Sequence, residues 1–492
     1  MDLNLSGKQP TFHHQGREVN SFRLLVLLLL IFTSGWILKS ILQHEIPSPF
    51  DPTLVPTRTA NSYVMEAETR FTAGDLNGAI ASYKKGTELD PNNAHLWSEL
   101  ARIQVYSSSL LTTDEERRNR LQEALQSINQ AVKVDPEDST AHAVRAFVLD
   151  WNSNPVMAGD QSEALLTEAE QEATRALQLD SQNALALAYY AEILLDQSKW
   201  VQADQYIQQA LEKDPSQMDV HRVNAIVRET YRQYDEAIKE YEKAAQITPN
   251  LTYLYISIGI NYRYLKQYDR ALEYFAKAAT INEQLGVKDP VPYVAISKTY
   301  TQMGEFFSAS LNMSKALKYN PYSPDLYGQL GMVYFHSRNY ETAILALKCA
   351  VRGCTTQESC DLRRCDVNVD PQVAITGMPL SSNTVVYYYT YGSVLTGMHR
   401  PTDDKCTEAV KVLAEVRSMF SGNPEIMGVV EANEQVCASF GITYNGLLNP
   451  GKVAATPLTA GQPTSTLLST NQTTPVNPTP VESGTPLPTP IP

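Results

Sequence analysis

The chain lacks a basic surplus: 40 Lys and Arg stand against 54 Asp and Glu, a formal net charge of −14. That balance argues against a nucleic-acid groove, which needs clustered cations to displace counterions from phosphates. Cysteine is missing from the first 348 residues and from everything after Cys437. Enzyme signatures are missing as well: there is no G-x-S-x-G, Walker loop, H-E-x-x-H or dinucleotide fingerprint, so no catalytic residue and no cofactor is implied. The eight histidines do not pair at metal-ligand spacing within a helix, and His13-His14 falls in a polar leader. Acidic pairs such as Glu115-Glu116 and Asp403-Asp404 suit loops or helix starts, where they are solvated or favour the helix dipole. What remains is a composition of 43% apolar and 19% charged residues, which is that of a folded protein.

One run breaks the soluble pattern. From Phe22 to Leu42 the chain is almost wholly apolar, with Arg23 and Lys39 near its ends and Trp36 close to one of them. About 20 residues at a rise of 1.5 Å match a hydrocarbon core of roughly 30 Å, and Trp36 suits the interfacial belt. A cleaved signal sequence is the rival reading, with an apolar run of Leu24 to Phe32 and a small-residue site at Thr33-Ser34-Gly35. The apolar pattern continues past that site through Trp36, Ile37 and Leu38, which favours a retained single-pass anchor. Lys8, Arg17 and Arg23 precede the run, a bias toward an inside amino terminus.

From about Ala60 the chain repeats itself. Ala203, Ala237 and Ala271 recur every 34 residues, as do Ala210, Ala244 and Ala278. Ala191, Ala225 and Gly259 keep the same spacing, and Pro215 and Pro249 close successive units. Each unit reads as two amphipathic helices, with small residues where they cross and a proline ending the second. Local segments agree: DLNGAIASYKKGTELDP (75–91), EALQSINQAVKVDP (123–136), YDEAIKEYEKAAQITP (234–249), YDRALEYFAKAATIN (268–282) and SASLNMSKALKYNP (308–321). This pattern resembles the tetratricopeptide repeat, whose 34-residue units are helix-turn-helix pairs. The resemblance implies an all-α fold: a right-handed α-solenoid of about eight to nine hairpins, after one transmembrane helix and before a disordered Thr/Pro-rich tail.

The organisation read from these signals is a polar leader (1–21), a transmembrane helix (22–42) and a Pro-rich spacer (43–59) containing Pro47 to Pro56. An array of about eight units follows (60–351), then a Cys-rich insertion (352–384), a degenerate unit with a capping helix (385–441) and the tail (442–492). Pro91, Pro136 and Ser181 lie 45 residues apart, so the second and third units carry about 11 extra residues, expected between their helices at 107–118 and 152–163. Residues 456–492 are about half Thr and Pro with Glu482 as sole charge; with no periodic apolar face they cannot offset their ordering entropy.

Six cysteines, Cys349, Cys354, Cys360, Cys365, Cys406 and Cys437, crowd into the carboxyl part. An even number in one region points to disulfides in an oxidising compartment. The four-residue gaps lie at the loose edge of a zinc knuckle, and no metal is expected. Cys406 and Cys437 are plausible partners because their helices should pack side by side.

In the repeat family the first helix of each unit lines an inner groove where partners commonly bind. Carried over, that groove shows Glu192, Asp196, Arg222 and Glu229, then Tyr253, Ile256, Arg263 and Tyr264, then Lys298, and finally Met332, Phe335 and His336. A clamp for an acidic chaperone tail is not implied, since Val64, Glu68, Ser98 and Arg102 occupy the comparable surface of the first two units. The expected function is a membrane-anchored scaffold that binds proteins or peptides, with its body outside the cytoplasm, in envelope assembly, secretion or surface organisation. Two alternatives stay open. One is a cytosol-facing adaptor regulating an envelope pathway, although the tight C-x-x-C pairs of such proteins are absent. The other is an enzyme with a site in 352–405.

Overall fold

The computed structural model describes residues 20–42, 58–366 and 368–445. Most of the polar leader, the Pro47–Pro56 spacer and the Thr/Pro-rich stretch 456–492 lie outside these residues. The chain divides into two units, Met1–Arg58 and Thr59–Pro492. In the first, α1 (Ser21–Leu42) is the one helix among the described residues that is long and apolar enough to cross a membrane.

The second unit is built from helical hairpins. α2 (Ala60–Thr72) with α3 (Leu76–Leu89) form the first, and α4 (Ala94–Ser108) with α5 (Asp114–Val134) the second. The third pairs α6 (Ser139–Asn152) with α8 (Ser162–Leu179), around the short α7 (Pro155–Ala158). Then follow α9 (Ala184–Asp196) with α10 (Trp200–Lys213), α11 (Met218–Thr230) with α12 (Tyr234–Ile247), and α13 (Thr252–Tyr264) with α14 (Tyr268–Gln284). The seventh and eighth hairpins are α15 (Val291–Met303) with α16 (Phe306–Tyr319) and α17 (Pro324–His336) with α18 (Tyr340–Val351). The chain then makes α19 (Thr356–Arg363), a ninth hairpin of α20 (Val385–Met398) and α21 (Cys406–Phe420), and the closing helix α22 (Pro424–Ser439). Each hairpin packs on the next, a right-handed α-solenoid. Among the described residues the only β pairing is two isolated bridges, Cys354 with Ile375 and Arg400 with Asp403.

The repeat period works through close crossings. Ala203, Ala237, Ala271, Ala210, Ala244 and Ala278 are all wholly buried, and enlarging one would cost about 1–3 kcal/mol of overpacking. Glycine does the same at Gly331 and Gly392, where a Cβ would come 2.6 Å from Leu347 Cγ and 2.8 Å from Leu413 Cδ2. A second device joins successive hairpins. The carbonyl of the proline ending one unit accepts a hydrogen bond from a side chain six residues on: Trp97 to Pro91 (2.9 Å), Tyr255 to Pro249 (2.6 Å) and Tyr327 to Pro321 (3.1 Å). His142 and His221 take the same place against Pro136 and Pro215 through Nε2, at 3.0 and 2.8 Å. Their Nδ1 atoms meet Glu172 and Glu240 at 2.6 and 2.7 Å. For His142 the hydrogen bond to Glu172 holds the imidazole pKa above its usual value.

The extra residues of the second unit are mostly not the loop expected at 107–118. Asp114 onward lengthens α5 to 21 residues, and a capping box of Thr113 and Glu116 starts it, with Asp114, Glu115 and Glu116 in its first turn. Acidic residues there complement the positive end of the helix dipole. The connection left over, 109–113, reaches a distant hairpin: Thr112 accepts from Asn320 Nδ2 at 2.9 Å. Likewise Asn250 Nδ2 donates to the Thr72 carbonyl at 3.3 Å. Gly74 (φ 81°) leaves room for that approach, since a Cβ there would lie 2.7 Å from the Asn250 oxygen. The array winds far enough for its first two hairpins to touch the fifth to seventh.

Candidate functional site

The inner helices of the first six hairpins fill the space they enclose. Tyr106 on α4 stacks with Tyr253 on α13 at 5.7 Å between centroids, and meets Phe147 on α6 at 5.6 Å. Phe147 stacks in turn on Tyr189 of α9 at 4.5 Å. Arg222 of α11 sits over the Phe147 ring at 5.3 Å. It donates to both carboxylate oxygens of Glu192 at 2.6 Å and to Asp219 at 3.1 Å. Asp219 also receives Arg102 Nη1 from α4 at 3.0 Å and the Tyr106 hydroxyl. Arg222, Glu192 and Asp219 are each at most 2% exposed. Burial works against the Asp219 carboxylate, but Arg222 and Arg102 hold it below the usual carboxylate range. Burial likewise opposes the Arg222 charge, which Glu192 outweighs.

Beyond this network lie carboxyls without a cation of their own. Asp196 on α9 is pushed up to about 7, by burial and then by Glu192. Asp150 on α6 is raised by burial and by its neighbours Asp196 and Glu192. Carboxyls buried beside other carboxyls favour their protonated form. Glu229, under Tyr241 (3.1 Å) and Asn261, is raised to about 7 by burial despite those hydrogen bonds.

These positions correct part of the inner surface expected from sequence. Arg222, Tyr253 and Ile256 are 2%, 4% and 4% exposed, and Tyr106 of the second hairpin lies against both Arg222 and Tyr253. Glu192 is buried, and Asp196 and Glu229 are half-buried in the same interior. Arg263 is half-buried, whereas Tyr264 is 41% exposed and stacks on Tyr234 at 4.9 Å, and Lys298 is exposed.

The inner strip of the seventh to ninth hairpins is less buried by the described residues. Met332 and Phe335 of α17 are half-buried and His336 is exposed. The Phe335 ring lies 5.6 Å from His336 and 6.1 Å from Tyr340, and Phe306 stacks on His336 at 6.3 Å. Val386 and Tyr389 of α20 are half-buried against the buried core of the last hairpins, on which Met332 and Phe335 also pack. Ser393 Oγ, one turn on, accepts from Asn433 of α22 at 3.0 Å. Val386, Tyr389 and Ser393 were not among the residues expected from sequence. The signal for them was Gly392: aligned with Gly331 as the small residue of the crossing, it sets Tyr389 and Ser393 level with Gly328 and Met332.

Three disulfides brace this end: Cys349–Cys354, Cys360–Cys365 and Cys406–Cys437. Among the described residues no group of His, Cys, Asp and Glu could hold a metal ion. In region 352–405 three polar side chains are turned to the chain's own backbone: Ser359 to the Val373 carbonyl, Thr384 to Pro379 (2.7 Å), and His399 Nδ1 accepting from Lys405 (3.2 Å) and Cys406 (3.3 Å).

Comparison with known proteins agrees with the repeat geometry. Tetratricopeptide repeat profiles match residues 60–93, 191–252 and 252–285. No curated protein sequence matches the chain. Among solved structures, a tetratricopeptide repeat protein from Parabacteroides merdae is 19% identical, with 56% of this chain and 98% of that one covered and a TM-score of 0.33. PilW, described as a type IV pilus biogenesis factor, is 17% identical over 41% and 90%, at 0.36. The human IFIT1 dimer with PPP-AAAA is 16% identical over 79% and 92%, at 0.48. The hairpins, their 34-residue period and the profile matches make this chain a tetratricopeptide repeat protein.

Proposed function

We propose that this protein is a membrane-anchored scaffold that holds proteins or peptides on the inner strip of its last three hairpins, outside the cytoplasm. Tetratricopeptide repeats are protein-interaction scaffolds; what is particular to this chain is where its free surface lies. The observation that carries the reading is the contrast in cover: the interior of hairpins one to six is spent on the chain itself, with Tyr106, Phe147, Tyr189 and Tyr253 buried, while Met332, Phe335, Val386 and Tyr389 are only half-buried and His336 is exposed. Aromatic and Met side chains supply contact area of the kind that dominates interfaces. Tyr264 and Lys298, exposed on the neighbouring inner helices, extend the strip.

The anchor and the sidedness are supported by α1 and by the disulfides. α1 is read as retained, because its apolar face runs on past the small-residue site. Three disulfides suit an oxidising compartment. The scaffold reading assigns no catalysis and no cofactor to the chain.

Protein capture on the purified full chain tests the strip. Phe335→Ser with Tyr389→Ser should abolish capture of the specific partners that wild type retains, while the chain still folds, with a lowered melting curve because both rings are half-buried. Identical capture by both would sink the proposal. Protease added to intact cells tests sidedness: the body should be shaved from outside, and a protected body would favour the cytosolic adaptor.

A further inference from the structure

We propose that the segment following Asn445 docks back onto the outer face of the array, lying along α18 and seating in an aromatic groove between α16 and α18. The groove, of about 710 Å³, is lined by Phe306, Phe307 and Leu311 of α16, Tyr334, Leu345 of α18 and Leu362 of α19. Phe307 is 77% and Leu311 53% exposed, unusual for large apolar side chains that share one hollow.

The occupant follows from where the described chain stops. Glu341, Leu345, Lys348 and Arg352 are spaced four, three and four residues apart on α18, which places them on one stripe of the helix. The groove lies at the Glu341–Leu345 end of that stripe. At its other end Lys348 and Arg352 line a second hollow, and Tyr444 is part of the wall. Tyr444 and Asn445 line a third hollow, between α21 and α22. The last described residues therefore lie at the start of a path leading to Phe307. Eleven helical residues cover about 16 Å, and an extended or polyproline-type chain rises about 3.1 Å per residue, so roughly six residues bridge it.

The chemistry of the next residues fits. GLLNPGKVAATPL (446–458) carries Leu447, Leu448, Val453 and Leu458 with two prolines. Proline restricts the free chain and lowers the entropy cost of seating it on aromatic surface. Lys452 is the only basic residue past Asn445. Roughly six residues on from Tyr444 the chain reaches Glu341, an exposed acid on the groove's rim, at Pro450, and Lys452 follows two residues later. A segment that builds no core of its own gains order only from a surface it lies on, and this one is tethered beside such a surface. Effective concentrations in the millimolar range make even a contact of about 0.1 mM intrinsic affinity roughly 90% occupied.

Lys452 supplies the test, as the sole tryptic site after Asn445. In the full chain in detergent, trypsin should release residues 453–492 about tenfold more slowly than it cleaves a free peptide of residues 446–458, given that occupancy. Phe307→Asp with Leu311→Asp should remove the protection. Should that pair disturb the body, Leu447→Asp with Leu448→Asp tests the same contact from the tail, where the body's fold is not at stake. Wild-type release as fast as the free peptide, or protection that survives both pairs, overturns the proposal. Protection that falls on dilution, together with a dimer in sedimentation, would give the groove to a second copy and overturn the intrachain reading as well.

Discussion

The first six hairpins and the last three share one helical unit and use its inner face in opposite ways. In the first set Tyr106, Phe147, Tyr189, Tyr253 and the Arg222 network converge until no groove is left. In the last set the same register carries Met332, Phe335 and Tyr389, and nothing in the described chain lies over them. The difference arises from winding. Small rotations between neighbours accumulate until α4 meets α11 and α13 across the axis; of the later hairpins the seventh still reaches back, through Asn320 to Thr112. Where closure supplies rigidity in the first set, disulfides do so in the last.

The contrast can be broken from either side. Arg222→Ala should have the largest effect, because it strands Glu192 as a buried charge and leaves Asp219 with Arg102 alone; about 3–5 kcal/mol of stability should be lost in denaturant melts. Next comes Cys437→Ser, which opens a bridge spanning 31 residues. About 2–4 kcal/mol should go, and hydrogen exchange should place the loss in α20 to α22 while α4 to α13 stay protected. A Phe335→Ser change should cost partner affinity by about 2 kcal/mol, read by titration with whichever captured protein is recovered. A Tyr253→Ser change should instead show in the melting curve.

The smallest effect is a pH dependence confined to the closed half. Asp196 has a folded pKa near 7 against about 4 unfolded. The fold favours its proton, so its contribution is greatest below about pH 4 and is lost as pH climbs toward 7. His142 acts in the same direction. Its pKa is raised, chiefly by the hydrogen bond to Glu172, so its stabilisation is present below about 6.5 and lost as pH rises through the higher folded value. From pH 5 to 8 the wild type should lose on the order of 1–2 kcal/mol, and Asp196→Asn should flatten much of that slope.

Much of this molecule was legible in the sequence. The alanine and proline periods located the hairpins, and Gly392 marks the crossing in the ninth. Closure was not legible. The angle between hairpins is set by side-chain packing summed over many interfaces, and no single residue announces it. Arg222, Tyr253 and Ile256 hold the register of a groove and so read as groove residues; only the path of the whole array shows that α4 lies across from them. A partial signal was present in Tyr106, Phe147 and Tyr189, three rings on successive inner helices with too few polar neighbours for an open surface.

Side-chain footprinting by brief hydroxyl-radical exposure of the full chain is the most direct measurement. It should oxidise Met332, Phe335 and Tyr389 readily and leave Tyr106, Tyr189 and Tyr253 nearly untouched. Comparable labelling of both groups would mean that the first hairpins stand open, and the division of the inner face into a filled half and a free half would be wrong.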